Sequence, residues 1–242
     1  MNKRDELVKE IVADIGNMID YHTEVLRDVF DFNANQNKII ANIKLAEAAY
    51  LYNAARSYYI DAELYKVAEL DNISKEHYKM LNMQTAAMWL NNFVDILLPA
   101  EWFWNEIYRT VTKLDLTNDN FERILRRCNA DYVKKNQSNV YIKFLLESNE
   151  LNDLRQKIVN AIKHRGAIYS KEIEDSFIGS YSLEFRDKNG ATFLDNSVFE
   201  TKLYSYETLK SIVNKNLKFF KQIFEYYVHS HEDNFPCYYK WM

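Results

Sequence analysis

Four glycines and two prolines in 242 residues leave this chain little with which to turn or to interrupt a helix. Glycine supplies the backbone conformations that other residues avoid, and proline breaks the helical hydrogen-bond ladder. A chain poor in both is expected to fold mostly as long helices. Apolar residues make up 48% of it, enough surface for a packed core, which argues against disorder. Eighteen tyrosines and fourteen phenylalanines are expected to fill the spaces between those helices.

Hydrophobic spacing along the chain supports this reading. Leu7, Ile11, Ile15, Met18 and Val25 recur at helical intervals and predict a first helix over about 4–32, broken by "FNANQN". A second pattern, about 37–70, runs through Ile40, Ile43, Ala46, Tyr50, Leu51, Ala54, Tyr58 and Leu64, and a helix of that length is roughly 50 Å long. "DNIS" stops it, with Ser74 expected as the next N-cap and Glu76 in the first turn. A third helix is expected over 75 to about 114, kinked at Pro99. Further helices are expected over about 118–135, 139–148 and 150–165, the last with Leu151, Leu154, Ile158 and Ile162 on one stripe and Gly166 as its stop. Residues 177–199 alternate Tyr181, Leu183 and Phe185 with polar neighbours and then reach Asn189-Gly190, which predicts a small β-hairpin. A last helix, about 206–230, carries Leu209, Ile212, Val213, Leu217, Phe220, Ile223 and Phe224. The fold class expected is therefore mainly α: a bundle of long antiparallel helices with one inserted hairpin, forming a single domain over 1–232 with a C-terminal tail at 233–242.

The formal charge of −4 argues against a chain coated all round by nucleic acid, but the charge is unevenly spread. Between Phe121 and Lys171, eleven basic residues face five acidic ones, a local net of +6 inside an acidic protein. Such an island, with "RILRRCNADYVKK" at its start, points to a polyanion-facing surface and to RNA through Arg123, Arg126, Arg127, Lys157 and Lys163; solvated helix faces are the plainer alternative. Cys128 and Cys237 match no metal or redox spacing, so a reducing, cytoplasmic setting is expected. "MNKRDELVKE" does not read as a signal peptide, and the most apolar run, "FVDILLPAEWFW", is too short to span a bilayer, so no membrane partner is expected.

Within the basic island, "LRQKIVNAIKHRGAIYSKE" ends a helical stripe on His164. A histidine there is a favourable partner for the carbonyl-rich helix terminus. Beside a phosphodiester it can also take the proton of a ribose 2′-OH or protonate the leaving oxygen, while an arginine stabilises charge on phosphorus. Asn160 stands one turn before His164 on the same face, and Arg155 and Arg165 flank it.

"VNAIKHRG" resembles the signature of the HEPN superfamily (higher eukaryotes and prokaryotes nucleotide-binding domains), in which an Arg is followed by a polar residue, often Asn, three more residues and then a His, with Gly following closely. Asn160, His164 and Gly166 match; the position of the family's arginine is held by Val159, with Arg155 one turn earlier and Arg165 after the histidine. The resemblance implies an all-helical domain and a metal-independent endoribonuclease with no cofactor, in which Asn160, His164 and either Arg155 or Arg165 are catalytic. It also implies a toxin–antitoxin or phage-defence role, a homodimer that places His164 near the two-fold axis, and a protein antitoxin or regulator as partner. The alternative is a catalytically inactive relative that binds RNA, a nucleotide or a protein through the basic 121–171 surface; Val159 favours it.

Other constellations are weaker. "HSHED" offers His229, His231, Glu232 and Asp233 with Cys237 beyond, but a terminal segment lacks the fixed geometry a metal needs, and no metal is expected. Trp102, Trp104 and Tyr108 fit core or dimer packing better than base stacking. No phosphate-cradling glycine loop or nucleophile elbow is present.

Overall fold

The computed structural model describes residues 2–21, 36–136, 139–165, 168–171, 184–186, 192–194 and 203–231. Its centre is a pair of long helices, α2 (Gln36–Leu64) and α3 (Asn72–Trp104), joined by a short connection that includes a 3₁₀ turn at Tyr65–Val67. They pack along their lengths. Among the buried positions of α2, one stripe, Ala41, Leu45, Ala48, Tyr52, Ala55, Tyr59 and Ala62, is spaced alternately four and three apart with small and large side chains in turn. Each alanine lets α3 approach closely, and each larger residue fills the space between contacts. Met83, Ala87, Leu90, Val94 and Leu97 answer from α3.

This corrects the sequence-based choice of face. Ile43, Tyr50 and Tyr58 lie outward, Tyr50 at 68% exposure, whereas the alanine-containing stripe is the buried one. Large apolar residues dominate a hydropathy pattern, but a close helix crossing is built from small ones, so the bulkier stripe was the wrong guide.

The helix boundaries differ in five places. The second helix, expected over about 37–70, ends at Leu64, where the 3₁₀ turn Tyr65–Val67 takes over. The first helix, α1 (Lys3–Ile15), stops at Gly16, which adopts φ 80° and ψ 176°, a region open essentially to glycine alone. The Gly16 carbonyl accepts from Arg56 Nε at 3.0 Å, and the Asn53 side chain donates to and accepts from the Ile19 backbone at 2.9 Å in each direction. Residues 16–21 are thereby strapped onto α2 as non-helical chain; the expected continuation through Val25 lies outside the described residues. Asp71, not Ser74, caps α3: the Ser74 amide donates to the Asp71 carboxylate at 2.9 Å and its hydroxyl at 2.6 Å. Beyond Pro99 the helix ends at Trp104, because Glu106 turns left-handed (φ 50°) before α4 (Ile107–Thr112). The helix expected over 118–135 is two, α5 (Asn118–Leu125) and α6 (Ala130–Lys135), since the Asn129 side chain caps the second by accepting from the Tyr132 amide.

After α7 (Val140–Glu147), residues 149–165 form one continuous helical run as expected, composed of α8 (Asn149–Asp153), a π-helical stretch Leu154–Val159, and α9 (Asn160–Arg165). Gly166 lies outside the described residues. The last helix, α10 (Tyr206–His229), is capped by Ser205, which accepts from the Thr208 amide, and buries every residue of its expected stripe against α2, α3, α7 and α8. Of the extended structure, Glu184–Arg186 pairs antiparallel with Thr192–Leu194, and Tyr169–Ser170 pairs parallel with Leu203–Tyr204. The Asn189-Gly190 turn of the expected hairpin lies outside the described residues, as does the 233–242 tail. Among the described residues the chain is mainly helical, and no helix there is long and apolar enough to cross a membrane.

Candidate functional site

The helical run 149–165 starts where Ser148 Oγ accepts from the Leu151 amide, and buries Leu151, Leu154, Ile158 and Val159 in the core. Its polar side is tied to α3. Arg155 Nε donates to Asn91 Oδ1 at 2.9 Å and Nη2 to Asp95 Oδ1 at 2.7 Å, while Asn91 Nδ2 donates to Asp95 Oδ2 at 2.9 Å. Just beyond the run, Gln84 clamps the Ile168 backbone, accepting from its amide at 3.0 Å and donating to its carbonyl at 2.7 Å. Gln84, Asn91 and Asp95 are seven and four residues apart, so they share one face of α3. This polar ladder brackets the His164 segment on both sides.

Between the anchors, His164 and Lys163 are exposed. No hydrogen bond or ion pair joins His164 to another described residue. Asn160 lies one turn earlier on the same face and makes only a long 3.4 Å bond from Nδ2 to Gln156 Oε1. The π-helical stretch ends immediately before Asn160, and such wide turns recur at functional sites. Arg155 is engaged with α3, and Lys157 with Asp153 at 2.9 Å. The expectation for the Arg165 side chain lies outside what is described. Val159, at the position of the family arginine, is 1% exposed and packed in the core.

The other basic residues stand elsewhere. Arg123 and Arg127 line a cavity of about 260 Å³ with Val111, Thr112, Leu114 and Tyr132, to which the His164 helix contributes nothing. Arg126 points to Glu122 at 3.9 Å instead. Tyr132 packs on Trp102 near the end of α3, whereas Ile168 is held by Gln84, well back along the helix. Eighteen helical residues separate those two points, about 27 Å along the axis. The single basic surface expected over 121–171 therefore divides into two.

Two buried carboxylates escaped the sequence reading. Glu101 is fully buried and accepts from Asn105 Nδ2 at 2.7 Å, from Tyr227 Oη at 2.9 Å and from the Asn139 amide. Burial pushes its carboxyl above the ordinary range, against the pull of those donors. Glu63 accepts from Tyr206 Oη at 2.6 Å, Lys66 at 2.7 Å and Lys210 at 2.8 Å. Burial raises the Glu63 carboxyl, but Lys210, Lys66 and Tyr206 together outweigh it and leave it lowered. Both networks fasten α10 to the central pair, Glu101 at one end and Glu63 at the other. The sequence signal for Glu101 was an acid within the apolar stretch "ILLPAEWFW"; Glu63, two residues after Asp61, carried none.

Trp102 and Tyr108 are fully buried, in agreement with core packing. His231 is buried too, its Nδ1 within 2.8 Å of the Tyr227 carbonyl and 2.9 Å of Ser230 Oγ, while 232 onward lies outside the described residues. The Cys128 thiol is pushed up to about 12 by burial, which makes it a poor nucleophile. Among the described residues, no group of three or more His, Cys, Asp or Glu side chains is arranged to hold a metal ion. Comparison with protein-family models, with curated proteins and with solved structures finds no match for this chain.

Proposed function

We propose that the protein is a HEPN-like endoribonuclease of a bacterial or phage toxin or defence system, acting in the cytoplasm through His164. The observation that carries the reading is an exposed imidazole, bonded to no other described residue, one helical turn from Asn160 on a helix end held to α3 from both sides. Rigid support of an otherwise free side chain is what an acid–base group needs. In the reaction, the ribose 2′-oxygen attacks phosphorus and the bond to the 5′-oxygen breaks. His164 removes the 2′-proton or supplies the proton taken up by the leaving oxygen; the products are a 2′,3′-cyclic phosphate and a 5′-hydroxyl. Asn160 orients the phosphate or the ring. Arg165 is the remaining guanidinium for the charged transition state, because Arg155 is bonded to Asn91 and Asp95 and serves to position the helix. A homodimer with His164 near its axis supplies a second set of groups to the same cleft, and the inserted hairpin around Asn189-Gly190 and a protein antitoxin or regulator complete the reading.

A second reading has its own support. With Val159 in the core and Arg155 engaged, the family arginine has no direct replacement among the described side chains, which favours an inactive domain that binds RNA without cutting it. One experiment separates them: RNA incubated with the protein in EDTA. Cleavage to 2′,3′-cyclic ends, lost by about 10²–10³ in His164→Ala, supports the nuclease. Binding without cleavage supports the second reading, and neither activity refutes both.

A further inference from the structure

The cavity at the junction of α4, α5 and α6 is chemically suited to a ligand. Its walls are Val111, Leu114 and the methyl-bearing Thr112; its polar edge is Arg123, Arg127 and Tyr132. The Thr112 hydroxyl is already engaged, donating to the Tyr108 carbonyl at 2.7 Å and accepting from the Leu114 amide at 3.2 Å. Arg123 and Arg127 are four residues apart across the end of α5, so they present to the same side. Of the three arginines in "RILRR", Arg126 alone is drawn to an acid, Glu122. No ion pair joins Arg123 or Arg127 to another described residue. Both are exposed.

Tyr132 gives the cavity an aromatic wall. Its ring is 37% exposed, and Trp102 supports it from behind at 6.4 Å between centroids. The Trp102 indole N–H is buried with no hydrogen-bond partner among the described residues. The backbone that carries Tyr132 is fixed by the Asn129 cap, and Lys113, left-handed at φ 56°, turns the opposite wall at Leu114. A volume of about 260 Å³ admits a planar ring with its substituent and excludes a duplex.

Two exposed guanidiniums without an ion pair among the described residues, beside a supported tyrosine and an apolar wall, match one chemical class: a phosphate ester that carries a flat heterocycle. Arginine forks grip phosphate bidentately, and a base stacks on the tyrosine face. We infer that Arg123, Arg127 and Tyr132 form a nucleotide subsite, occupied by one phosphate and one unstacked base of a single-stranded RNA. The inference rests on the reading that this chain acts on RNA, and it adds a second contact by the Trp102 end of α3, about 27 Å along that helix from Gln84, which holds the chain just beyond His164. A substrate strand then reaches from the subsite to the imidazole, which selects for single-stranded RNA long enough to touch both.

The test uses the full chain and a fluorescent oligouridylate long enough to span both sites. Anisotropy titrations across salt concentrations compare Arg123→Ala, Arg127→Ala, Tyr132→Ala and Tyr132→Phe, with Arg4→Ala as an equal loss of charge at a distant exposed position. The expected result is a roughly tenfold loss for each arginine variant, with a salt slope shallower by about one. Tyr132→Ala is expected to lose about tenfold with an unchanged slope, and Tyr132→Phe to bind as the parent does. RNA binding that persists in all these variants as it does in Arg4→Ala overturns the subsite and leaves the proposed function standing. If the parent protein binds no RNA, the proposed function falls, and uridine 5′-monophosphate then decides the subsite by calorimetry. Binding with the same dependence on Arg123, Arg127 and Tyr132 retains it as a free-nucleotide site; absence of binding overturns it.

Discussion

Removing Arg155 tests whether this residue anchors the His164 helix or takes part in chemistry. Arg155→Ala deletes the 2.7 Å ion pair to Asp95 and the 2.9 Å bond to Asn91. The ion pair is half open to solvent, with side-chain exposures of 28% and 48%, so it contributes no more than about 1 kcal/mol. Asn91 is buried, and its stranded carbonyl oxygen costs about 1–3 kcal/mol. The expected loss is therefore about 2–3 kcal/mol, a fall in Tm of roughly 5–10 °C for a chain of this size. Urea unfolding followed by circular dichroism measures it, and a double-mutant cycle with Asp95→Ala should return about 0.5–1 kcal/mol of coupling. If Arg155→Ala lies within about 0.5 kcal/mol of the parent, or if the cycle is additive, the anchoring argument is refuted. Cleavage assays add a second readout. An anchor predicts that Asp95→Ala impairs RNA cleavage in step with Arg155→Ala; a transition-state guanidinium predicts full loss in Arg155→Ala and little change in Asp95→Ala.

Glu101→Ala should cost about 3–5 kcal/mol, because it strands the Asn139 amide, Asn105 Nδ2 and Tyr227 Oη together, whereas Glu101→Gln keeps partners for all three and should stay within about 1 kcal/mol near neutral pH. The pH dependence has a definite sign. Since burial raises the folded carboxyl above its unfolded value of 4.5, its contribution is fully present below that value and is lost as pH rises through the folded pKa, so Glu101→Gln should gain on the parent with rising pH in denaturant titrations. Val159→Arg restores the HEPN register on paper but buries a guanidinium in the core; it should lower stability by several kcal/mol in thermal unfolding and leave little folded protein to assay. Gly16→Ala should cost about 1–3 kcal/mol by the same measurement, since φ 80° with ψ 176° suits glycine alone; an unchanged Tm would show that the strap can relax.

Much of the architecture was legible from local pattern. The shortage of glycine and proline announced long helices, and the α10 stripe from Leu209 to Phe224 was buried residue for residue. Periodicity works there because α10 has one apolar face and a polar remainder. It misled on α2, where two faces carry apolar side chains and only packing against α3 chooses the alanine-containing one. Breaks set at single residues, such as the Asn129 side-chain cap and the left-handed backbone at Glu106, were invisible to a pattern that counts only hydrophobicity.

What the sequence alone determined was the helical class, the position of the Asn160–His164 pair on a helix end, and the presence of a basic island in an acidic chain. Their spatial meaning was decided only by the tertiary structure. Arg155 looked available beside the histidine, but α3 presents Asn91 and Asp95 to it across sixty and more residues of chain. Val159 is excluded from chemistry by the core on its side of the helix. The basic island separated because its later half is held along the middle of α3, at Gln84, Asn91 and Asp95, and its first half lies by the end of α3 at Trp102, while Tyr132 joined Arg123 and Arg127 through a fold in the chain at Asn129. A sequence records which groups are near one another along the backbone; hydrogen bonds and burial between distant segments determine which of them remain free to act.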